Sequence, residues 1–219
     1  MRSTKARRTD RTRTPTGEQF SAYEGAFNYF NEALFSGKLS PLMLNFSRKA
    51  QSKGFYCPGA WRRGMKEAAV AELSLNPDVL DRPARDALST LVHEMCHHWQ
   101  FCFGKPSRRG YHNKEWATKM IEIGLHPSDT GEPGGNIVGQ HMTHYIVDGA
   151  SFDRSFSAMP QEILLPWTSA GSLESAKKKR QARQKTSYAC PICEAKVWGK
   201  PGLSILCGEC QEPFEEETA

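Results

Sequence analysis

No stretch of the 219-residue chain approaches the roughly 20 consecutive apolar residues that span a bilayer, and the mean hydropathy is −0.59. The expectation is a chain with no membrane span. Behind Met1, Arg2, Lys5, Arg7 and Arg8 there is no apolar run or cleavage site of the secretory kind, so the expected location is cytoplasmic. Cysteine is too sparse, at seven, for a disulfide framework, and the number is odd. Four of the seven stand in two C-x-x-C pairs near the C-terminus, which favours metal ligation in a reducing compartment. With 38% hydrophobic residues, a chain of this length supports one full domain and a small module, and two large cores are excluded.

The formal net charge of +5 conceals a segregation. Residues 1–16 hold six Lys/Arg against Asp10, and residues 174–185 hold six more against Glu174. Outside those stretches the chain carries 17 basic and 22 acidic residues. Residues 1–16 have no large apolar side chain beyond Met1 and read as a disordered basic arm. The segment 171–187 reads as a basic linker or solvated helix, and 215–219 as an acidic tail.

Between these lie the patterned regions. Phe20, Tyr23, Phe27, Phe30 and Leu34 recur at helical spacing and the pattern stops at Gly37, which predicts a helix with an aromatic core stripe. Leu42 to Phe46 and Ala68 to Leu75 read as strands of a small mixed sheet, with Gly54, Pro58, Gly59 and Gly64 as breakers between them. Pro83 to Phe103 predicts the longest helix. Asn113 suits the N-cap of another, Lys114 to Ile123. A turn-rich loop, Ser128 to Gly135, and a strand, Gln140 to Val147, follow.

The long helix carries H-E-M-C-H, His93 to His97. Residues four apart on a helix differ by only about 40° around its axis, so both imidazoles can reach one ion, with Glu94 beside them. Leu88, Leu91, Val92, Met95, Trp99 and Cys102 fall on the other arc, leaving one face for the core and one for a cleft. Catalytic zinc commonly takes three protein ligands and keeps one position open. Gln100 and Phe103 stand where a metzincin requires Gly and His, which excludes that class. The third-ligand candidates are His112, Glu115 and Glu122 downstream and Cys57 upstream. His112 is favoured, because a short loop with Gly104, Pro106 and Gly110 can return it to the helix.

Cys190, Cys193, Cys207 and Cys210, in C-P-I-C and C-G-E-C separated by thirteen residues, have the spacing of a closed structural zinc ribbon. A module of this size has too little core to fold by burial alone. Cys96 and Cys102 read as packed small hydrophobes, and His98 as a surface or boundary residue. His126, His141 and His144 read as structural histidines. Tyr111, His141, His144 and Tyr145 are the candidates for assisting an oxyanion.

The segments H-E-M-C-H-H-W-Q and G-Y-H-N-K-E-W, whose His lies fifteen residues after His97, and the helix end L-F-S-G-K-L together resemble the SprT-like zinc metalloprotease family. The likeness is to the Spartan-related, bacterial type with a C-terminal zinc ribbon. It implies an α+β, zincin-like domain over residues 17–170, followed by the linker and a ribbon at 188–214. It also implies a catalytic zinc on His93, His97 and His112 with Glu94 as base, and a structural zinc on the four cysteines, two ions per chain. The implied activity is endopeptidase cleavage of DNA-associated or DNA-crosslinked proteins, as in crosslink repair. DNA, single-stranded or damaged, would be contacted through arm, linker and ribbon, and the chain would then be nucleoid-associated. Two other readings stand beside it: a transcription-related nucleic-acid-binding zinc protein with a structural H-E-x-x-H site, and a deformylase-like hydrolase using Cys57.

Overall fold

The first helix starts where local chemistry provides for it. In the computed structural model, which describes residues 14–49, 52–169 and 186–217, α1 (Pro15–Phe35) is capped by the Thr14 hydroxyl, which accepts the Gly17 N–H at 3.1 Å. The expected arm over 1–16 therefore gives up its last residues to this helix, because a cap and a proline at the first helical position favour it. Residues 1–13 lie outside the described residues. α1 ends at Ser36 and Gly37, both at positive φ, with the Gly37 N–H on the Asn31 carbonyl at 2.9 Å. Tyr23, Phe27, Phe30 and Leu34 are buried as expected, whereas Phe20 sits at the rim and packs on Phe46 at 5.4 Å. The Asn31 side chain accepts from the Leu39 N–H and donates to its carbonyl, tying the following segment back onto the helix.

Three strands form the main sheet: β1 (Met43–Phe46), β2 (Gly54–Trp61) and β3 (Val70–Leu75). Their order is β1-β3-β2, with β1 parallel and β2 antiparallel to the central β3. β2 occupies the region whose Gly and Pro residues read as breakers. Those residues instead mark a register break between Cys57 and Trp61, and an edge strand tolerates proline because half its backbone groups face away from the ladder. Among the described residues the outer edge of β2 is unpaired.

Against this sheet packs α2 (Ala84–Phe103), with Leu88, Leu91, Val92, Met95 and Cys96 at most 1% exposed. α3 (Lys114–Glu122) begins at Asn113, whose side chain accepts the Trp116 N–H at 3.1 Å, as that residue's capping preference predicts. A second, two-stranded sheet pairs β4 (Leu125–Ser128) antiparallel with β5 (Thr143–Ile146). β5 is the trimmed form of the expected strand. β4, at four residues with Pro127 inside it, is too short to show a period, as is α4 (Ser151–Ser157), whose Phe152 stacks on Phe30.

The chain divides into two compact units, one ending at Ser169 and the other beginning at Ala170. The second contains β6 (Thr186–Ala189), β7 (Lys196–Gly199) and β8 (Glu215–Glu216), in the order β7-β6-β8. Of the expected linker, residues 171–185 lie outside the described residues, and Thr186 and Ser187 belong to β6. The expected acidic tail is shortened by β8: Glu215 and Glu216 pair with Ala189 and Tyr188, since backbone ladders form regardless of an outward-facing charge. Residues 218 and 219 lie outside the described residues. No helix among the described residues is long and apolar enough to cross a membrane.

Gly124 joins α3 to β4 at φ 86°, and a Cβ there would lie 2.5 Å from the Cβ of Ala150. Gly124→Ala combines a left-handed backbone penalty with an overlap against a short, stiff side chain. It is expected to lower the unfolding free energy by about 2–4 kcal/mol, read as a lower denaturant midpoint at unchanged slope.

Candidate metal centre

Ser89, His93 and His97 succeed one another at four-residue spacing on α2, and Glu94 lies next to His93. The third imidazole arrives by the loop between α2 and α3. That loop is held at its base by Gln100, whose amide donates to Asn113 Oδ1 and Glu115 Oε2, each at 2.7 Å. Glu115 Oε2 also accepts the Lys105 N–H at 2.7 Å, and Asn113 donates to the Lys105 carbonyl at 3.0 Å. His112, immediately before Asn113, exchanges two backbone hydrogen bonds with Gly139.

The result is one cluster. A ligand nitrogen from each of His93, His97 and His112 lies within 4.8 Å of the others. Trp116 forms a wall against all three rings, with centroids 4.9, 5.3 and 4.4 Å away, and is fully buried. Its indole Nε1 is the one side-chain nitrogen or oxygen among the described residues that is wholly shut off from solvent and has no hydrogen-bond partner.

Burial sets the electrostatics. It holds His93 well below the ordinary imidazole range, with the facing His144, His97 and His112 adding to the effect. Burial and then His112 push His97 down to about 3, and burial lowers His112 against the opposing hydrogen bond to Gly139. All three are thus neutral, the form that offers a lone pair to a metal. The His112 Nδ1 lies 3.2 Å from the Gly139 carbonyl, which can only accept, so Nδ1 carries the proton and Nε2 is free as a donor atom. Glu94, 6% exposed, has its carboxyl pushed up to about 8 by burial, with Lys49 opposing. None of its oxygens makes a hydrogen bond or ion pair among the described residues. The donor set, three buried neutral imidazoles beside an unspent carboxyl, fits a divalent transition ion.

The other candidates are elsewhere. Glu115 is consumed by the loop, and its carboxyl is held below the usual range by the Lys105 N–H and Gln100. Glu122 pairs with Lys119 at 2.9 Å, and Cys57 lies in β2 opposite Glu72. None of the three belongs to the histidine cluster. His98, read from sequence as a surface or boundary residue, is 2% exposed: it sits 2.9 Å from the Ser40 carbonyl and 3.2 Å from the Tyr56 hydroxyl, partners that make its burial tolerable. Cys96 is packed as expected, but Cys102 is exposed, since α2 leaves the core in its last turn.

Two more residues stand against the cluster: Ser89, which sequence reasoning left out, and His144, which it offered as a structural histidine or an oxyanion helper. His144 on β5 has Nδ1 3.2 Å from His93 Nδ1 and Nε2 2.8 Å from the Ser89 hydroxyl. Both ring nitrogens are occupied, so His144 does not serve an oxyanion. A cavity of about 370 Å³ next to this pair is lined by Lys53 and Arg82, among others, and burial followed by these two cations pushes His144 down to about 3. Ser89 continues the four-residue stripe of His93 and His97, a signal present in the sequence. Nothing local signalled the pairing of His144 with His93, which strand pairing brings about.

In the second unit Cys190, Cys193, Cys207 and Cys210 also bring their sulfurs within 4.8 Å of one another. The Cys193 and Cys207 sulfurs are 3.7 Å apart, close to the value of about 3.8 Å for thiolates 2.3 Å from a tetrahedral centre and far beyond a disulfide. This four-cysteine cluster fits a zinc ribbon.

A profile described as the SprT-like family matches residues 23–133, just over half of the chain, including all of this histidine cluster. The chain belongs to the SprT-like family. Among curated proteins, the "DNA-dependent metalloprotease SPRTN" of Bos taurus is 29% identical over 125 residues, 57% of this chain and 24% of the relative. Those of Rattus norvegicus and Mus musculus are each 28% identical over the same length. The chain spans about a quarter of the length of these relatives. No solved structure matches it with significance. The α+β, zincin-like architecture expected from the motifs is thus that of the family, and its relatives' names imply a metal, most simply zinc.

The buried carboxyl has a thermodynamic signature in the metal-free protein. A carboxyl raised in the folded state binds protons that the unfolded chain has already released, so it lowers stability as pH rises from the unfolded value toward about 8. The opposing histidine effects fade only above about pH 7.5, but they are common to wild type and Glu94→Gln and cancel in the difference. Between pH 6.5 and 8, wild type should therefore lose about 1.5 kcal/mol more stability than Glu94→Gln, measured by denaturant unfolding in chelator.

Proposed function

We propose that the chain is a zinc-dependent endopeptidase acting on proteins associated with or crosslinked to DNA. The observation that carries the reading is a buried, unbonded Glu94 beside three neutral imidazoles with lone pairs to give. A structural zinc site closes its coordination with four protein ligands, whereas three leave a position open. His93, His97 and His112 would hold the ion, which supplies Lewis acidity toward a peptide carbonyl and toward water. A cation there would also draw the Glu94 carboxyl back toward its ionised form. Glu94 then takes a proton from the attacking water and returns it to the leaving amine.

Substrate placement follows from β2. A Cβ on Gly54, its first residue, would lie 3.3 Å from Glu94 Cγ, so the strand begins beside the base. The unpaired edge of β2 offers a row of backbone donors and acceptors to an extended peptide, as in strand addition. An extended main chain is what an unfolded or partly unfolded protein presents. The deformylase-like alternative loses its support, because Cys57 lies outside the histidine cluster.

The DNA element of the proposal rests on charge and on the relatives' name, "DNA-dependent metalloprotease". Residues 186–217 hold two lysines against six glutamates, so the cations for phosphate come from the arm and linker segments. The ribbon contributes exposed Trp198 as a surface on which a base can stack. Two ions per chain, one on the histidines and one on the cysteines, complete the proposal.

Glu94→Gln should reduce cleavage of an unfolded protein substrate by about 10²–10⁴-fold, with two zinc ions retained by elemental analysis. Full activity in this variant would remove Glu94 from the chemistry. Replacing Lys177, Lys178, Lys179 and Arg180 by Ala should flatten the salt dependence of single-stranded DNA binding, by about 0.7 in log-log slope for each phosphate no longer neutralised. Titrations at several salt concentrations read the slope, and an unchanged slope would exclude the linker from the interface.

A further inference from the structure

Three polar groups behind the histidine cluster form a chain with a direction. His93 Nδ1 and His144 Nδ1 are 3.2 Å apart, so one must carry a proton and the other a lone pair. His144 Nε2 is 2.8 Å from Ser89 Oγ. Ser89 Oγ is in turn 2.9 Å from the Asp86 carbonyl oxygen, one turn back along α2. A carbonyl only accepts, and a hydroxyl has one proton to give.

We infer that Ser89 and His144 are positioning residues that hold the proton of His93 on Nδ1 and thereby keep its Nε2 lone pair for the ion; this rests on the reading of His93 as a metal ligand. The Ser89 proton goes to the Asp86 carbonyl, so Ser89 accepts from His144 Nε2–H. His144 Nδ1 is then bare and accepts from His93 Nδ1–H. All three hydrogen bonds are satisfied in this polarity. In the reverse polarity Ser89 donates to His144, His144 donates to His93, and Ser89 has no proton left for the Asp86 carbonyl. The reverse also puts the His93 proton on Nε2, where it blocks ligation. A metal-bound imidazole needs a partner for its other nitrogen to fix tautomer and ring orientation. For His112 that partner is the Gly139 carbonyl, and for His93 it is another imidazole, whose own tautomer Ser89 must set.

A Ser–His pair also invites reading as a nucleophile and base. Ser89 is 3% exposed, its proton is directed into its own helix, and its histidine partner turns its other nitrogen to His93. With its own proton committed and its histidine partner turned to His93, Ser89 has no base to activate it, and positioning is the role left.

The test uses the full-length chain. Zinc affinity of the histidine site is measured by chelator competition with the cysteine site saturated, and ring-nitrogen tautomers of the metal-free histidine site by long-range ¹⁵N–¹H spectra. His93 in wild type should carry its proton on Nδ1. His144→Ala should weaken zinc binding by about 10–100-fold, and Ser89→Ala should weaken it less while mixing the His93 tautomers. His144→Gln, whose side-chain carbonyl can accept from His93 Nδ1–H, should restore most of the affinity and the tautomer. An Nε2–H tautomer on wild-type His93, unchanged affinity in His144→Ala, or a loss that His144→Gln does not repair would each overturn the inference. His93→Ala is the control for the underlying reading: loss of the second ion supports it. Its retention would remove His93 as a ligand and the inference with it, whatever the His144 variants do.

Discussion

Burial of polar groups on α2 is the constraint from which the rest of this domain follows. His93 and Glu94 lie within the helix segment from Ala87 to Cys96 that is enclosed by the sheet, α1 and α3, and each is less than a tenth exposed. Water solvates neither well, so the imidazole is neutral and the carboxyl resists ionisation. An ion proposed at that point would meet imidazoles already in their binding form. The same burial leaves a carboxyl with no partner, a cost that a purely structural helix would have no reason to bear.

Holding a third imidazole against such a helix is a problem of loop geometry. The solution is a clasp of uncharged and charged groups, Gln100, Asn113 and Glu115, that closes the loop at its base and leaves His112 at its mouth. Asn113 serves twice, capping α3 and anchoring the loop. Displacing it would move the helix start and His112 together. Trp116, one turn further on, fills the space behind the rings, so α3 supplies loop anchor and wall at once.

The second unit has a different physical basis. Its described residues bury few side chains fully, Tyr188, Cys190 and Cys207 among them, and it exposes Ile192, Trp198, Leu203 and Leu206. So small a core does little to offset chain entropy, and an ion on the four sulfurs, as proposed, would supply the missing stability. The first unit contains the larger aromatic and aliphatic core and needs no ion to explain its fold.

Much of this was legible in the sequence wherever a local period carried it. The helical spacing of Tyr23, Phe27 and Phe30, the four-residue step from His93 to His97, the Asn113 cap and the C-x-x-C pairs are each encoded within a turn or two of chain. The signals that failed were of two kinds. β2 was masked by its own glycines and proline, because an edge strand obeys the sheet on one side only. His144, His98 and the free state of Glu94 depend on elements distant in the chain: β5 brings His144 51 residues back to His93, and the segment before β1 brings Ser40 58 residues forward to His98. Local sequence determined which side chains could share a helix face and which residues could cap or break an element. Only tertiary packing decided which of them lost their water, which found partners, and which buried carboxyl was left without one, because those outcomes are set by groups that the chain brings together from far apart.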